Sequence, residues 1–206
     1  MDIAVYILLG LTSVSALAVI LWRGWSLRWN KVVPPLIVGA LVECRSRKEV
    51  PTVKHLCEAQ PSSLGRLVLT ATNHLDWSKK ENVASLETAA RREIVKLERG
   101  LVVLEIIVGI APLLGLVGTI FGMITVFGDI GQTGLNNSSD ASKLAQGISL
   151  ILRTTLIGLL ISIPSLVAWS YFNKKIEVLA VEMETLCDEF LRRQYCNEQE
   201  SELSED

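Results

Sequence analysis

Apolar and polar positions in this chain are segregated into long blocks. Three windows are almost free of charge: residues 3–21, Leu101–Gly128 with only Glu105, and residues 144–172 with only Arg153. Crossing the hydrocarbon core of a bilayer takes about 20 apolar residues, so each window is long enough. The pattern predicts an all-α, polytopic membrane protein with three transmembrane helices, at 1–22, 101–128 and 144–172.

Between the windows the spacing changes character. Residues 23–100 are polar and carry Pro34, Pro35, Pro51 and Pro61. Proline ends helices and biases its predecessor to extended geometry, so the first part of this region should be short helical pieces. From Lys79 to Gly100 there is no proline, and Val83, Leu86, Ala90, Ile94, Leu97 and Leu101 recur in steps of three and four. That is helical periodicity. It runs uninterrupted into the second window and predicts one helix over 80–127, about 70 Å long at 1.5 Å per residue.

The third window continues in the same way over 173–196. Ile176, Leu179, Ala180, Met183, Leu186, Cys187, Phe190 and Leu191 keep the spacing, with charged residues between them. Two long helices that leave the membrane side by side should form a cytoplasmic helical bundle. Residues 129–143 should form a loop, and the acidic segment 197–206 is predicted to be disordered.

Charge then orients the chain. Basic residues are dense over 23–100, the 129–143 loop has a single lysine, and Lys174 and Lys175 follow the third window. Basic loops stay in the cytoplasm, which predicts an outside N-terminus and an inside C-terminus. A secretory signal peptide would need a basic segment before its apolar run. Here only Asp2 precedes it, and Trp22-Arg23-Gly24-Trp25 after it resembles an interfacial anchor. Cys44, Cys57, Cys187 and Cys196 all fall on the predicted cytoplasmic side, where reducing conditions disfavour disulfides. His55-Leu56-Cys57 lacks the companion pair that a metal site needs. No metal or cofactor is expected.

The membrane windows also contain more than bulk apolar residues. The second holds Gly109, Pro112, Gly115, Gly118, Thr119 and Gly122, and the third Thr154, Thr155, Gly158, Ser162 and Pro164. Gly118-xxx-Gly122 and Gly115-xxx-Thr119 are spacings that let helix backbones approach closely in lipid. Thr155, Gly158 and Ser162 share one helix face. Packing alone would explain these stripes; so would the wall of a polar pathway. A relay of carboxylates is excluded, because neither window has an acid at mid-depth. A threonine cannot itself carry a proton at neutral pH, but it can hydrogen-bond a carboxylate brought by another chain. No nucleophile–base pair, metal-ligand spacing or phosphate loop argues for an enzyme.

The blocks Ala111-Pro112-Leu113-Leu114-Gly115-Leu116-Val117-Gly118-Thr119 and Thr154-Thr155-Leu156-Ile157-Gly158-Leu159-Leu160-Ile161-Ser162-Ile163-Pro164 resemble the MotA/TolQ/ExbB proton channel family. The ExbB/TolQ branch is the nearer one, and Leu97-Glu98-Arg99-Gly100-Leu101 resembles it too. The similarity covers residues 80–175, and the first helix fits in topology only.

The resemblance implies a homopentamer in the bacterial inner membrane whose second and third helices line a central pore. It implies a dimer of a single-span ExbD- or TolR-like partner with an intramembrane Asp, faced by Thr119 and Thr155. It implies proton-driven work on an envelope client such as outer-membrane import, delivered with a TonB- or TolA-like transducer. The expected pathway-lining set is Thr119, Thr155, Gly115, Gly122, Gly158 and Ser162, with Gly118, Pro112 and Pro164 serving helix packing.

Two positions depart from the family pattern. Leu150 stands where a glutamate is common. Arg153 stands where a small or apolar residue is usual, and it either snorkels to the outer headgroups or forms an ion pair, for instance with Asp129 or Asp140. A MotA-like flagellar stator would typically have four spans, against three windows here. A non-conducting membrane scaffold is the reading from a different class.

Overall fold

The computed structural model describes residues 2–133 and 138–205. Among them every regular element is helical, in the order α1 (Asp2–Ser26), α2 (Trp29–Val32), α3 (Pro35–Glu43), a 3-10 turn (Arg47–Glu49), α4 (Val50–Ala59), α5 (Ser63–Asn73), α6 (Lys79–Glu98), α7 (Leu101–Thr133) and α8 (Ser138–Glu205). Three helices are long and apolar enough to cross a membrane, over Ala4–Ser26, Leu101–Gly128 and a stretch beginning at Leu144.

The single helix expected over 80–127 is instead two, α6 and α7, broken at Arg99-Gly100. Gly100 has φ +87°, the one left-handed glycine among the described residues. Without a Cβ, glycine enters that region at no steric cost. The apolar steps of three and four continue across the break because both flanks are helical, so periodicity alone does not detect it. Farther along, α7 runs to Thr133 and α8 starts at Ser138, so helix occupies much of the expected 129–143 loop. Helix α8 also reaches Glu205, through the segment whose composition predicts disorder. Its glutamates are good helix formers.

The chain divides into two compact units. The first comprises Met1–Arg23 and Gly100–Tyr171. Here α1 lies antiparallel to α7. An added Cβ on Gly118 would lie 3.2 Å from Val5, and one on Gly100 would lie 3.2 Å from Arg23 Nε. Between these ends Ala16 packs with Ile107 and Ala111. Eighteen residues separate the two contacts on each helix (5 to 23, 100 to 118), so the helices keep register over about 27 Å. The outer surface of this unit is apolar: Leu113, Ile124, Leu152, Leu160 and Val167 are each more than half exposed. An apolar exterior of this extent belongs in lipid or against another protein.

The second unit comprises Gly24–Arg99 and Phe172–Asp206. Its core gathers Ile37 and Leu41 from α3, Val53 and Cys57 from α4, Leu64, Leu67 and Val68 from α5, and Leu86 and Ala90 from α6. Leu179, Met183, Cys187, Phe190 and Leu191 of α8 complete it. Each fully buried Leu or Phe contributes about 1.5–3 kcal/mol. Starts are well marked: Ser46 with Glu49 and Ser78 with Glu81 form capping boxes, and Pro35 opens α3. Buried Asn82 donates to the Ala71 carbonyl at 3.0 Å and to the Tyr195 hydroxyl at 3.1 Å, and Tyr195 donates to the Trp77 carbonyl at 2.9 Å. This network ties α5, α6 and the end of α8 together. Burial, reinforced by Glu58, pushes the Cys57 thiol up to about 11, so it is a neutral core group at pH 7.

Candidate functional site

The chemistry-bearing residues of the first unit converge where α7 crosses α8. The glycines of α7 form one side of this contact. A Cβ on Gly115 would sit 2.9 Å from the Thr154 carbonyl oxygen and from Thr155 Cα, and one on Gly122 would sit 2.5 Å from Ile151. From the opposite side, a Cβ on Gly158 would sit 2.5 Å from the Ala111 carbonyl oxygen. At Gly115 and Gly158 only glycine fits, because backbone meets backbone, while Gly122 makes room for the Ile151 side chain. Gly115, Gly118, Gly122 and Gly158 therefore all pack within the chain.

The buried face of α8 is Ile151, Thr154, Gly158, Ser162 and Ser165. This face is rotated from the one predicted through Thr155, and it brings Thr154 into the helix contact instead. The Thr154 hydroxyl lies 2.7 Å from the Ile151 carbonyl and 3.2 Å from the Gly115 carbonyl, and donates to them as a shared bond. The spacing of Thr154, Gly158 and Ser162 by four and four is as helical as that of Thr155, Gly158 and Ser162 by three and four, so the sequence accommodates both faces.

Ser162 has a definite task. Pro112 has no N–H, so the carbonyl of Val108, four residues earlier, loses its helical donor. The Ser162 hydroxyl donates to that oxygen at 2.9 Å. An unsatisfied carbonyl in hydrocarbon costs several kcal/mol, and neighbouring helices supply the missing partner in membrane proteins. Pro164, on the exposed side of α8, has no equivalent contact among the described residues.

Thr119 and Thr155 sit at the margin of the contact, both half-buried. Thr119 donates to the Leu116 carbonyl at 2.7 Å, which leaves its oxygen lone pairs free to accept. The Thr155 oxygen is enclosed yet has no hydrogen-bond partner among the described residues. Thr154 has taken up the neighbouring carbonyls, so Thr155 keeps both a donor and acceptor capacity unspent.

Arg153 is exposed and forms no ion pair among the described residues. The side chains of Asp129 and Asp140, its expected partners, lie outside the described set. Next to Arg153, Thr154 meets Gly118, which also meets Val5 near the start of α1. Arg153 is thus level with the N-terminal end of α1, about 27 Å along the helices from Arg23. Leu150 lines a mainly apolar cavity of about 160 Å³ with Tyr6, Thr125 and Thr154. Between Leu101 and Gly128 and between 144 and 171 the sole carboxylate is Glu105, exposed near the start of α7. Two close-packed helices with spare hydroxyl capacity and no acid at mid-depth can receive a proton-carrying group, but do not supply one.

Comparison with known proteins gives the family. The family model described as the MotA/TolQ/ExbB proton channel family matches residues 60–185. A Synechocystis protein with an ExbB-like biopolymer-transport designation is 29% identical over 165 residues, covering 77% of this chain and 63% of that protein. The biopolymer transport protein ExbB of Helicobacter pylori is 37% identical over 84 residues, covering 41% of this chain and 56% of that protein. That of Xanthomonas campestris is 38% identical over 90 residues, covering 44% and 34%. The chain thus spans from one third to just under two thirds of the length of these relatives.

Proposed function

The chain belongs to the MotA/TolQ/ExbB proton channel family, and on that premise we propose that it is the pore-forming subunit of a proton-driven, ExbB/TolQ-like motor in the inner membrane. In this reading several copies, a pentamer by family likeness, surround a dimer of a single-span ExbD/TolR-like partner. The partner's intramembrane carboxylate is the proton carrier, and a TonB/TolA-like transducer passes the work to an envelope client. The N-terminus faces the periplasm and the C-terminus the cytoplasm, as the basic loops indicate.

The observation that carries this reading is the unspent hydroxyl of Thr155, with Thr119 also free to accept, on helices that lack a mid-depth acid of their own. An ionised carboxylate against leucine and glycine walls would cost several kcal/mol even after relaxation. A threonine that can both donate and accept lowers that cost at one point on each subunit, whichever protonation state arrives. One charge crossing the membrane potential yields about 2.3 kcal/mol per 100 mV, so a few protons suffice for a conformational step. Arg153 at the outer end fits an arginine reaching the periplasmic headgroups.

The test is proton flux into proteoliposomes containing the chain and its single-span partner. Thr119→Val and Thr155→Val should each abolish flux while the complex still assembles by native mass spectrometry. Undiminished flux in both variants would leave the threonines as packing residues. No flux from the unaltered complex would favour a scaffold.

A further inference from the structure

In the second unit, a cleft of about 610 Å³ opens beside the last residue of α1, Ser26. Lys31 and Arg66 bring positive charge to it, Gln60 and Ser63 bring hydrogen-bonding groups, and Leu97 brings an apolar wall. Lys31 lies over the Trp25 ring, 5.2 Å from its centroid, with no carboxylate partner among the described residues. Arg66 uses Nη2 on Glu93 and on Ser63, which leaves the N–H groups of Nε and Nη1 unclaimed among the described residues. Glu93 is the carboxylate beside this cluster, and it is shared between Arg66 and Lys96. With Lys31 there are three cations to one acid, so the cleft remains positive. Trp22 and Trp25, both largely exposed, flank the end of α1 as aromatic residues do at headgroup depth.

We infer that this cleft holds the phosphodiester headgroup of an anionic phospholipid from the adjacent leaflet. The inference rests on reading α1 as a membrane span, but not on proton conduction. The volume falls within the usual range for ligand pockets. Lys31 and the free edge of Arg66 supply the charge-assisted donors that a phosphate oxygen favours, and Leu97 faces the glycerol end. A free phosphate offers the same chemistry but gains nothing from a rim at headgroup depth.

The experiment uses the full chain, delipidated and returned to nanodiscs of phosphatidylcholine containing a minor fraction of phosphatidylglycerol. Lipid retained after re-extraction is then counted by native mass spectrometry. Phosphatidylglycerol should be enriched about tenfold over its bulk fraction, and Lys31→Glu should remove most of that enrichment, about fivefold or more, given the attraction of a basic residue for anionic lipid. Lys31→Arg should keep it. Lys48→Glu, an exposed charge change outside the cleft, should leave it intact. No enrichment, or equal loss in the Lys48 and Lys31 variants, overturns the inference. So does inorganic phosphate displacing the lipid at millimolar concentration, which would mark a free-phosphate site. Proton flux is not read, so this result stands apart from the motor test.

Discussion

Ser162 of α8 donates its hydroxyl to the carbonyl oxygen of Val108 on α7, the oxygen left without a helical donor by Pro112. The two helices are therefore joined at a point where one of them is chemically incomplete. Ser162→Ala should cost about 1–3 kcal/mol by leaving that oxygen unpaired. Pro112→Ala restores the N–H, and in that background Ser162→Ala should cost clearly less. A double-mutant cycle on thermal unfolding in detergent measures the coupling; strict additivity would show that Ser162 acts elsewhere.

Gly158 presses its backbone against Ala111, and an added methyl would overlap the Ala111 carbonyl oxygen. Gly158→Ala should therefore force α7 and α8 apart, costing about 1–3 kcal/mol as overpacking does. Gly109 is the contrast, because a Cβ there would meet nothing within 4 Å. Gly109→Ala should leave the thermal midpoint of the isolated chain unchanged or slightly raised. If both variants melt alike, the close α7–α8 approach is refuted.

Gly100 separates α6 from α7 with φ +87°, and Arg23 Nε would lie 3.2 Å from any Cβ placed there. Gly100→Ala should destabilise by about 1–2 kcal/mol from the left-handed backbone alone. Gly100→Asn should be the milder change, since asparagine tolerates that region better. A chemical denaturation series of the three proteins gives the order. An alanine variant as stable as the parent would mean that α6 and α7 can join in one helix.

Glu93 is buried beside the half-exposed Arg66 and Lys96. Burial alone would raise its pKa, but the hydrogen bonds and charges of Arg66 and Lys96 outweigh burial and hold it below its ordinary 4.5. The unfolded chain thus binds the proton first as pH falls. Stability from Glu93 is complete above its ordinary pKa and is lost as pH drops through the lower folded value. Glu93→Gln should lower stability at pH 7 by about 1–2 kcal/mol, the partners being screened by solvent. Melting curves from pH 7 down to pH 3 should show the two proteins converging. A constant gap would assign the loss to packing.

The sequence by itself determined the number of spans, the all-helical class and the family. Each rests on a local property: twenty consecutive apolar residues, a period of three and four, and a fixed string such as Ala111-Pro112-Leu113-Leu114-Gly115. The break at Gly100 was not legible, because a single left-handed residue leaves the apolar spacing on both sides unchanged. Tertiary structure alone decided which face of α8 is inside. Thr154 and Thr155 are adjacent and chemically identical, and periodicity accommodates either. Contact with Gly115 gives Thr154 an acceptor beyond the Ile151 carbonyl of its own helix, whereas Thr155 has no partner among the described residues. Pairing Ser162 with Val108 likewise needed two helices in register, since residues 54 apart meet only once the chain has folded. Hydrophobic pattern selects helices and their environment, but hydrogen bonds between helices depend on ångström-scale rotation and register, which only packing sets.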